Sequence, residues 1–327
     1  RGVELSLTGY IMDRPDFTLN ATFNIGRNKN KIDKLASGEK EMVLSSGWAG
    51  SQLLNSDDYR AYVGGTTGLI YGFVNDGFYT VDDFKPFDSK SRTWTLKDGV
   101  VNSSPLSGDP RPGNAKFKKL TPVDENSANP YTLTDDDRTV IGNTTPKFSG
   151  GFGLNATFKG FDVSAFFNFM YDFDVFNANK VMMTTWASNN YNNFSMDISA
   201  AKRWRNFDDM GNEIRYSPEI LAEFNKNATM WNPTSIGRPI AMSYAVEDGS
   251  FLRLNTATIG YTLPRAWTNK VGLSRVRFYA SGYNLFTITG YSGYDPEVDI
   301  ATGLTPNIDN NRYPRSRTYT FGVQLTF

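Results

Sequence analysis

Hydrophobic positions in this 327-residue chain recur at every second residue in several separate stretches. That is the period of a strand, not of a helix. The cleanest stretch lies at the C-terminal end. There Tyr319, Phe321, Val323, Leu325 and Phe327 alternate with Thr318, Thr320, Gly322, Gln324 and Thr326. Residues 17–27 repeat the pattern, with Phe17, Leu19, Ala21, Phe23 and Ile25 set against Thr18, Asn20, Thr22, Asn24 and Gly26. Residues 147–171 predict a hairpin that turns at Lys159-Gly160. Its apolar row runs through Phe148, Phe152, Leu154, Ala156 and Phe158 and returns through Phe161, Val163, Ala165, Phe167, Phe169 and Tyr171. The opposite row is small or polar, apart from Phe166 and Met170. Residues 2–11, 250–263 and 275–288 predict three more strands. In 250–263, Leu252 and Leu254 are out of step with Ala257, Ile259, Tyr261 and Leu263, which predicts a bulge near Asn255. Short strands around Met42 and Leu44, and around Leu69, Tyr71 and Phe73, bring the expected total to about nine.

The connections differ in length. Residues 75–147 show no sustained period and are punctuated by Pro86, Pro105, Pro110, Pro112, Pro122 and Pro130. Residues 172–249 are rich in Asn and aromatics. Ser217-Pro218-Glu219 predicts a helix start there, and Ser195 predicts another that carries Ile198, Ala201 and Trp204. Residues 289–314 form a third long loop. The intervening connections, at Arg14-Pro15-Asp16, Lys159-Gly160 and 264–274, are short. Strands of about ten residues with one apolar and one polar row suit a tilted crossing of a bilayer. Long loops at one end and short turns at the other suit the extracellular and periplasmic ends of such a barrel. The expected fold class is therefore all-β, a transmembrane antiparallel barrel, with the C-terminus periplasmic. A soluble β-strand explains the alternation equally well, but not the long loops or the aromatic final residue. The chain opens directly into a strand, so it reads as part of a longer protein.

Composition removes several functions. Basic and acidic side chains number 34 each, leaving no excess positive charge for nucleic acid. Cys and His are both absent, which excludes disulfides, His-based triads and the usual zinc sites. Mean hydropathy is −0.44. No apolar run approaches the roughly 18 residues of a membrane helix, although barrel strands need no such run. Carboxylate pairs such as Asp57-Asp58 and Asp208-Asp209 are adjacent in sequence, which places them in turns and not across a catalytic cleft. Asp135, Asp136 and Asp137 read as a solvated turn. No catalytic residue, metal site or cofactor is expected. The loop aromatics Trp186, Tyr191, Trp204 and Trp231 are the candidate substrate contacts. Their rings either stack on a bound sugar or peptide or pack the loops together; Trp186 and Trp231 lie in the more polar settings.

Several segments resemble the SusC/RagA family of TonB-dependent outer-membrane transporters of the Bacteroidetes. They include Asp137-Arg138-Thr139-Val140-Ile141-Gly142-Asn143, Gly160-Phe161-Asp162-Val163-Ser164-Ala165-Phe166-Phe167 and Asp248-Gly249-Ser250-Phe251-Leu252-Arg253-Leu254. Gly260-Tyr261-Thr262-Leu263-Pro264, Asn284-Leu285-Phe286, Tyr291-Ser292-Gly293-Tyr294-Asp295-Pro296-Glu297 and Tyr71-Gly72-Phe73-Val74-Asn75-Asp76-Gly77 also fit, in order along the chain. The resemblance implies that residues 1–327 are the C-terminal part of a barrel of about 22 strands. The plug domain and the TonB box are not present in this chain. It further implies import of bulky oligosaccharides or peptides, TonB engaged through the missing N-terminal region, a SusD-like surface lipoprotein as partner, and outer-membrane lipid around the barrel. In barrels resembling this one, a terminal row such as Tyr319, Phe321, Val323, Leu325 and Phe327 is the assembly signal. One departure is that Thr121–Asp137 lacks the Asp-rich, calcium-type spacing that family members often carry before the Asp-Arg-Thr-Val-Ile-Gly motif. The alternative functions are a passive outer-membrane pore and a secreted carbohydrate-binding β-sandwich.

Overall fold

The computed structural model of the chain describes residues 1–36, 38–55, 57–185, 194–298 and 303–327. Seven long strands carry the architecture: β1 (Gly2–Arg14), β2 (Phe17–Asn28), β3 (Phe148–Phe158), β4 (Phe161–Tyr171), β5 (Phe251–Thr262), β6 (Arg275–Thr289) and β7 (Thr318–Thr326). They form one antiparallel sheet in chain order, so each strand pairs with its neighbours in sequence. The seven share a single sheet and not the two of a sandwich. The expected count of about nine falls to seven for a physical reason. The segments near Met42 and Leu69 pair in a separate four-stranded sheet of Glu41–Leu44, Tyr59–Tyr62, Leu69–Gly72 and Thr139–Asn143. Leu69, Ile70, Tyr71 and Gly72 are all buried, so this piece has no wet face and no barrel role.

Residues directly opposite each other in a ladder share a face, so the register sorts the long sheet into two. On one face Leu5 meets Ile25, Phe23 meets Phe152, Leu154 meets Ala165, Val163 meets Ile259, Tyr261 meets Phe278 and Phe278 meets Val323. Between Arg14 at one end and Arg27 at the other, this face carries no charge. Its side chains stand open: Val163 is 45% exposed, Ile259 52% and Val323 55%. On the other face Thr22 meets Gly153, Asn155 meets Ser164, Thr258 meets Ser281 and Arg277 meets Gln324. Register shifts keep the faces pure. Asn255 has no partner on either side, since Phe166 pairs with Thr256 and Phe167 with Leu254, while Leu254 and Thr256 pair with Phe286 and Tyr283. The expected bulge is there, and it is matched on β6 by Asn284 and Leu285, with Asn284 at φ 51°.

Hairpin connections alternate between the two ends. At one end lie Pro15-Asp16, Lys159-Gly160 and 263–274. Lys159 and Gly160 both have positive φ, 45° and 91°, the geometry that lets a two-residue turn follow the twist of its strands. The connection 263–274 holds a helical turn at Arg265–Thr268. At the other end lie 29–147, 172–250 and 290–317, and these fold together into a cap. The stretch 75–147, aperiodic in sequence, is not loose: Asn75–Phe78 pairs with Ala115–Phe117, and a helical turn spans Ser104–Ser107. Tyr59, Ile70, Phe73, Phe117, Phe176, Trp231, Ile240 and Ile308 form one core drawn from all three connections. A helix spans Pro218–Asn225, as Ser217-Pro218-Glu219 predicts. Ser195 caps only a single 3-10 turn, Met196–Ile198, by accepting from Asp197 N at 3.1 Å; the helix expected to reach Trp204 does not continue.

Candidate lumen and cap site

The polar face of the long sheet is built from short hydrogen-bonding groups with two kinds of larger side chain laid flat. Thr258 and Ser281 share a 2.8 Å hydroxyl contact, and Asn155 Nδ2 donates to Asn20 Oδ1 at 3.1 Å. Asp162 on β4 accepts from Arg277 Nε on β6 at 2.9 Å, crossing over Gly260 of the intervening β5. A Cβ on Gly260 would stand 2.5 Å from Arg277 Nη2 and 2.6 Å from Asp162 Oδ1, so only glycine lets the ion pair span three strands. Tyr279 lies over Gly322 in the same way, and Phe166 over Gly151. This explains how Phe166 sits on a polar row: its ring covers backbone and does not stand out from the sheet.

The cap closes onto this polar face. Arg253 of β5 is 2% exposed. It donates to Asp295 Oδ1 at 2.5 Å and lies 3.6 Å from Glu297 Oε2, while Arg315 reaches Glu297 Oε1 at 2.7 Å. Burial pushes the Asp295 carboxyl up, but hydrogen bonds from Arg253 and the Glu297 amide prevail and hold it below its ordinary value. Beside this network Phe251 packs with Phe173, Val175, Tyr291 and Val298. The connection 290–317 is thereby fastened to the end of β5.

Of the four loop aromatics, Trp231 and Trp204 take up the packing alternative. Trp231 is buried in the cap core, donates from Nε1 to Thr184 O at 3.3 Å and packs edge-on to Tyr244 at 4.8 Å. Trp204 is buried against Phe78, and Gly113 lies so close that a Cβ there would stand 2.1 Å from the indole. Both rings fill space between loops, and Trp204 also lines a cleft of about 690 Å³. Trp186 and Tyr191 lie outside the described residues. Asp137 also departs from the expected solvated turn; it is fully buried and serves as an anchor. It accepts from the amides of Leu120, Thr121 and Thr134 at 2.9, 2.8 and 2.8 Å and from the Thr121 hydroxyl at 2.7 Å. Burial raises its pKa, these bonds lower it by more, and it settles at about 2. Among the described residues no cluster of three carboxylates could hold a metal ion.

Sequence reasoning missed an open cleft in the cap of about 790 Å³, lined in part by Trp94, Tyr216, Arg92, Arg111, Arg215 and Arg238. Arg92 with Trp94, Arg111, Arg215 with Tyr216, and Arg238 come from four separate stretches of two connections, so no local pattern announces them. At the far edge of the long sheet, β7 pairs with β6 alone, and the row Tyr319, Phe321, Val323 and Leu325 continues the apolar face.

No family model matches the chain. The TonB-dependent receptor P3 of Formosa agariphila is 30% identical over all of this chain, which covers 28% of that protein. The TonB-dependent receptor P39 of the same organism is 24% identical over the whole chain, covering 30% of its length. The TonB-dependent receptor SusC of Bacteroides thetaiotaomicron is 32% identical over 46% of this chain and 15% of SusC. Among solved structures, a RagAB peptide transporter superposes over the whole chain with a TM-score of 0.68 at 22% identity, 29% of that chain being covered. The chain spans less than a third of the curated relatives it matches. Sheet, connections and relatives agree that this chain belongs to the SusC/RagA family of TonB-dependent receptors.

Proposed function

We propose that the chain is the C-terminal part of an outer-membrane import barrel of about 22 strands, closed by the remainder of the receptor. Its apolar face meets lipid and its polar face lines a wet lumen. The cap lies on the extracellular side, and the short turns and the C-terminus lie on the periplasmic side. The cargo is a bulky oligomer, an oligosaccharide or a peptide, received together with a SusD-like surface lipoprotein. TonB acts through a region outside this chain, and no catalysis is involved. The row from Tyr319 to Phe327 serves in assembly as well as in the lipid face. The observation that carries this reading is the division of seven consecutive strands into an uncharged apolar face and a polar face, with every long connection at one end. Aromatics at the short-turn end add support: Phe17 packs on Phe158 at 6.3 Å, Phe161 on Tyr261 at 4.5 Å, and Trp267 stands exposed nearby.

This chain has no Cys, so single introduced thiols within it report on position once any Cys elsewhere in the receptor is replaced by Ser. In intact cells carrying the complete receptor, a membrane-impermeant maleimide is expected to label Ser91→Cys in the cap and to leave Lys159→Cys unlabelled until the outer membrane is opened. Labelling of Lys159→Cys in sealed cells would reverse the orientation. Deletion of the receptor gene is expected to abolish growth on its oligomer, and loss of TonB to do the same. Growth that persists without TonB would point to a passive pore.

A further inference from the structure

The 790 Å³ cleft joins a second of about 690 Å³, since Asn206, Arg215 and Thr234 line both. The chain as a whole is neutral, but this groove is not. Among the described residues Arg92, Arg111, Arg203, Arg205, Arg215 and Arg238 line it, against Asp109 and Asp208, and no Lys or Glu takes part. Two of the six have carboxylate partners: Arg205 pairs with Asp209 at 2.7 Å and Arg215 with Glu213. Arg238 is held by backbone carbonyls of Ser51, Gln52 and Leu53, and Arg203 by the carbonyl of Ile198, with no carboxylate partner for either among the described residues. Arg92 and Arg111 form no side-chain hydrogen bond or ion pair among the described residues. Arg92 and Arg215 both lie near the Tyr216 ring, at 5.3 and 5.8 Å from its centre. Glu213 offsets the charge of Arg215, so the uncompensated charge beside the ring is that of Arg92, which an anion would pair.

We infer that this groove binds an acidic oligosaccharide, a run of sugars bearing sulfate or carboxylate groups. The inference rests on the import reading above and names its substrate class. Guanidinium forks match planar or tetrahedral oxyanions by paired N–H donors, which a Lys ammonium does not. Trp94 and Tyr216, both packed on Phe87, give the cleft an aromatic lining, and Asn114, Asn206, Thr93 and Thr234 supply polar groups for hydroxyls. A peptide fits less well. The 790 Å³ cleft is walled by turns, a helical turn at Ser104–Ser107 and the helix Pro218–Asn225, with no strand edge for an extended backbone to pair with.

The test uses the complete receptor, purified with its surface partner, and three probes: a dextran sulfate oligomer, plain dextran of the same length, and oligoglutamate. Dextran sulfate is expected to bind about tenfold or more tightly than dextran, with affinity falling as salt rises. The double variant Arg92→Gln, Arg111→Gln is expected to remove about tenfold of that preference while the cap keeps its protease resistance; Lys at both positions should restore only part. Equal binding of the charged and plain oligomers overturns the assignment. So does undiminished dextran sulfate binding by the double variant, and so does a preference for oligoglutamate. Uptake separates the two readings. If uptake needs the receptor yet binding ignores charge, the import reading stands and the groove assignment fails. If the charged oligomer binds but uptake is unchanged without the receptor, the groove stands and the import reading fails.

Discussion

In the long sheet Leu154, Val163, Ile259 and Val323 stand open along one face; in the cap Ile70, Phe117, Ile236 and Ile240 are shut away. The side chains are of the same kind. What differs is the medium that removes them from water. Cap residues bury one another, each gaining roughly 1.5–3 kcal/mol within the fold itself. On the barrel reading proposed above, residues of the sheet gain a comparable amount only when lipid covers them, because every partner in the ladder lies beside them and none above. Polar groups divide in the same manner. The cap buries Asp137 and surrounds it with donors, whereas the sheet leaves Thr and Asn along one face, the face proposed above to line a wet lumen. One chain thus carries two folding economies, one closed and one completed by its surroundings.

The largest effect that would test this contrast is in the cap. Trp231→Ala should remove about 3–5 kcal/mol of local stability, since it empties the centre of the shared core. Hydrogen exchange in the complete receptor should rise across all three long connections and remain slow in β3 and β4. Equal loosening of the strands would show that the two regions form one cooperative unit. Next in size, Val163→Arg on the apolar face should cost about 2–4 kcal/mol during refolding into lipid vesicles, and Asn155→Arg on the polar face far less. Equal costs would mean that both faces are buried.

A pH effect of about 2 kcal/mol follows from Asp137. Its carboxyl lies at about 2 in the folded cap against an ordinary 3.8. A depressed folded value contributes stability that is complete above about pH 4 and is lost as pH falls toward 2. Cap proteolysis should therefore accelerate in that window, and Asp137→Asn should be weaker at neutral pH but flat across it. The smallest effect is Thr258→Val, which deletes the contact with Ser281 on the polar face and should cost about 0.5–1.5 kcal/mol. A much larger loss would show that this face is dry.

The sheet was legible in the sequence because its physics is local. Alternation in 17–27 and 148–171 is a property of neighbouring residues, and even the bulge at Asn255 left its mark as a change of phase. The cap was not legible. Phe117, Phe176, Trp231 and Ile308 meet from widely separated positions, and strands of three to five residues are too short to show a period. The same distance left the roles of Trp204 and Trp231 open between stacking and packing in the sequence. Polar neighbours in sequence said nothing of the apolar neighbours in space. Asp137 failed for a related reason, since its donors at Leu120 and Thr121 precede it by a full loop.

The paired bulge of β5 and β6 does more than correct a phase. Alternation distinguishes a strand from its copy slid by one residue, because the wrong side chains would then meet lipid. It is blind to a slide by two, which returns every apolar residue to the apolar face. Seven alternating strands offer many such degenerate alignments. Asn255, left out between Phe166 and Phe167 on one side and facing Asn284 and Leu285 on the other, breaks that degeneracy. If β5 slides by two against β6, Asn255 loses the matching irregularity at Asn284 and Leu285, and each then faces a continuous stretch of ladder with backbone groups left unpaired. The irregularity is a key cut into an otherwise repeating edge, and it lets strands with nearly interchangeable faces accept only one alignment.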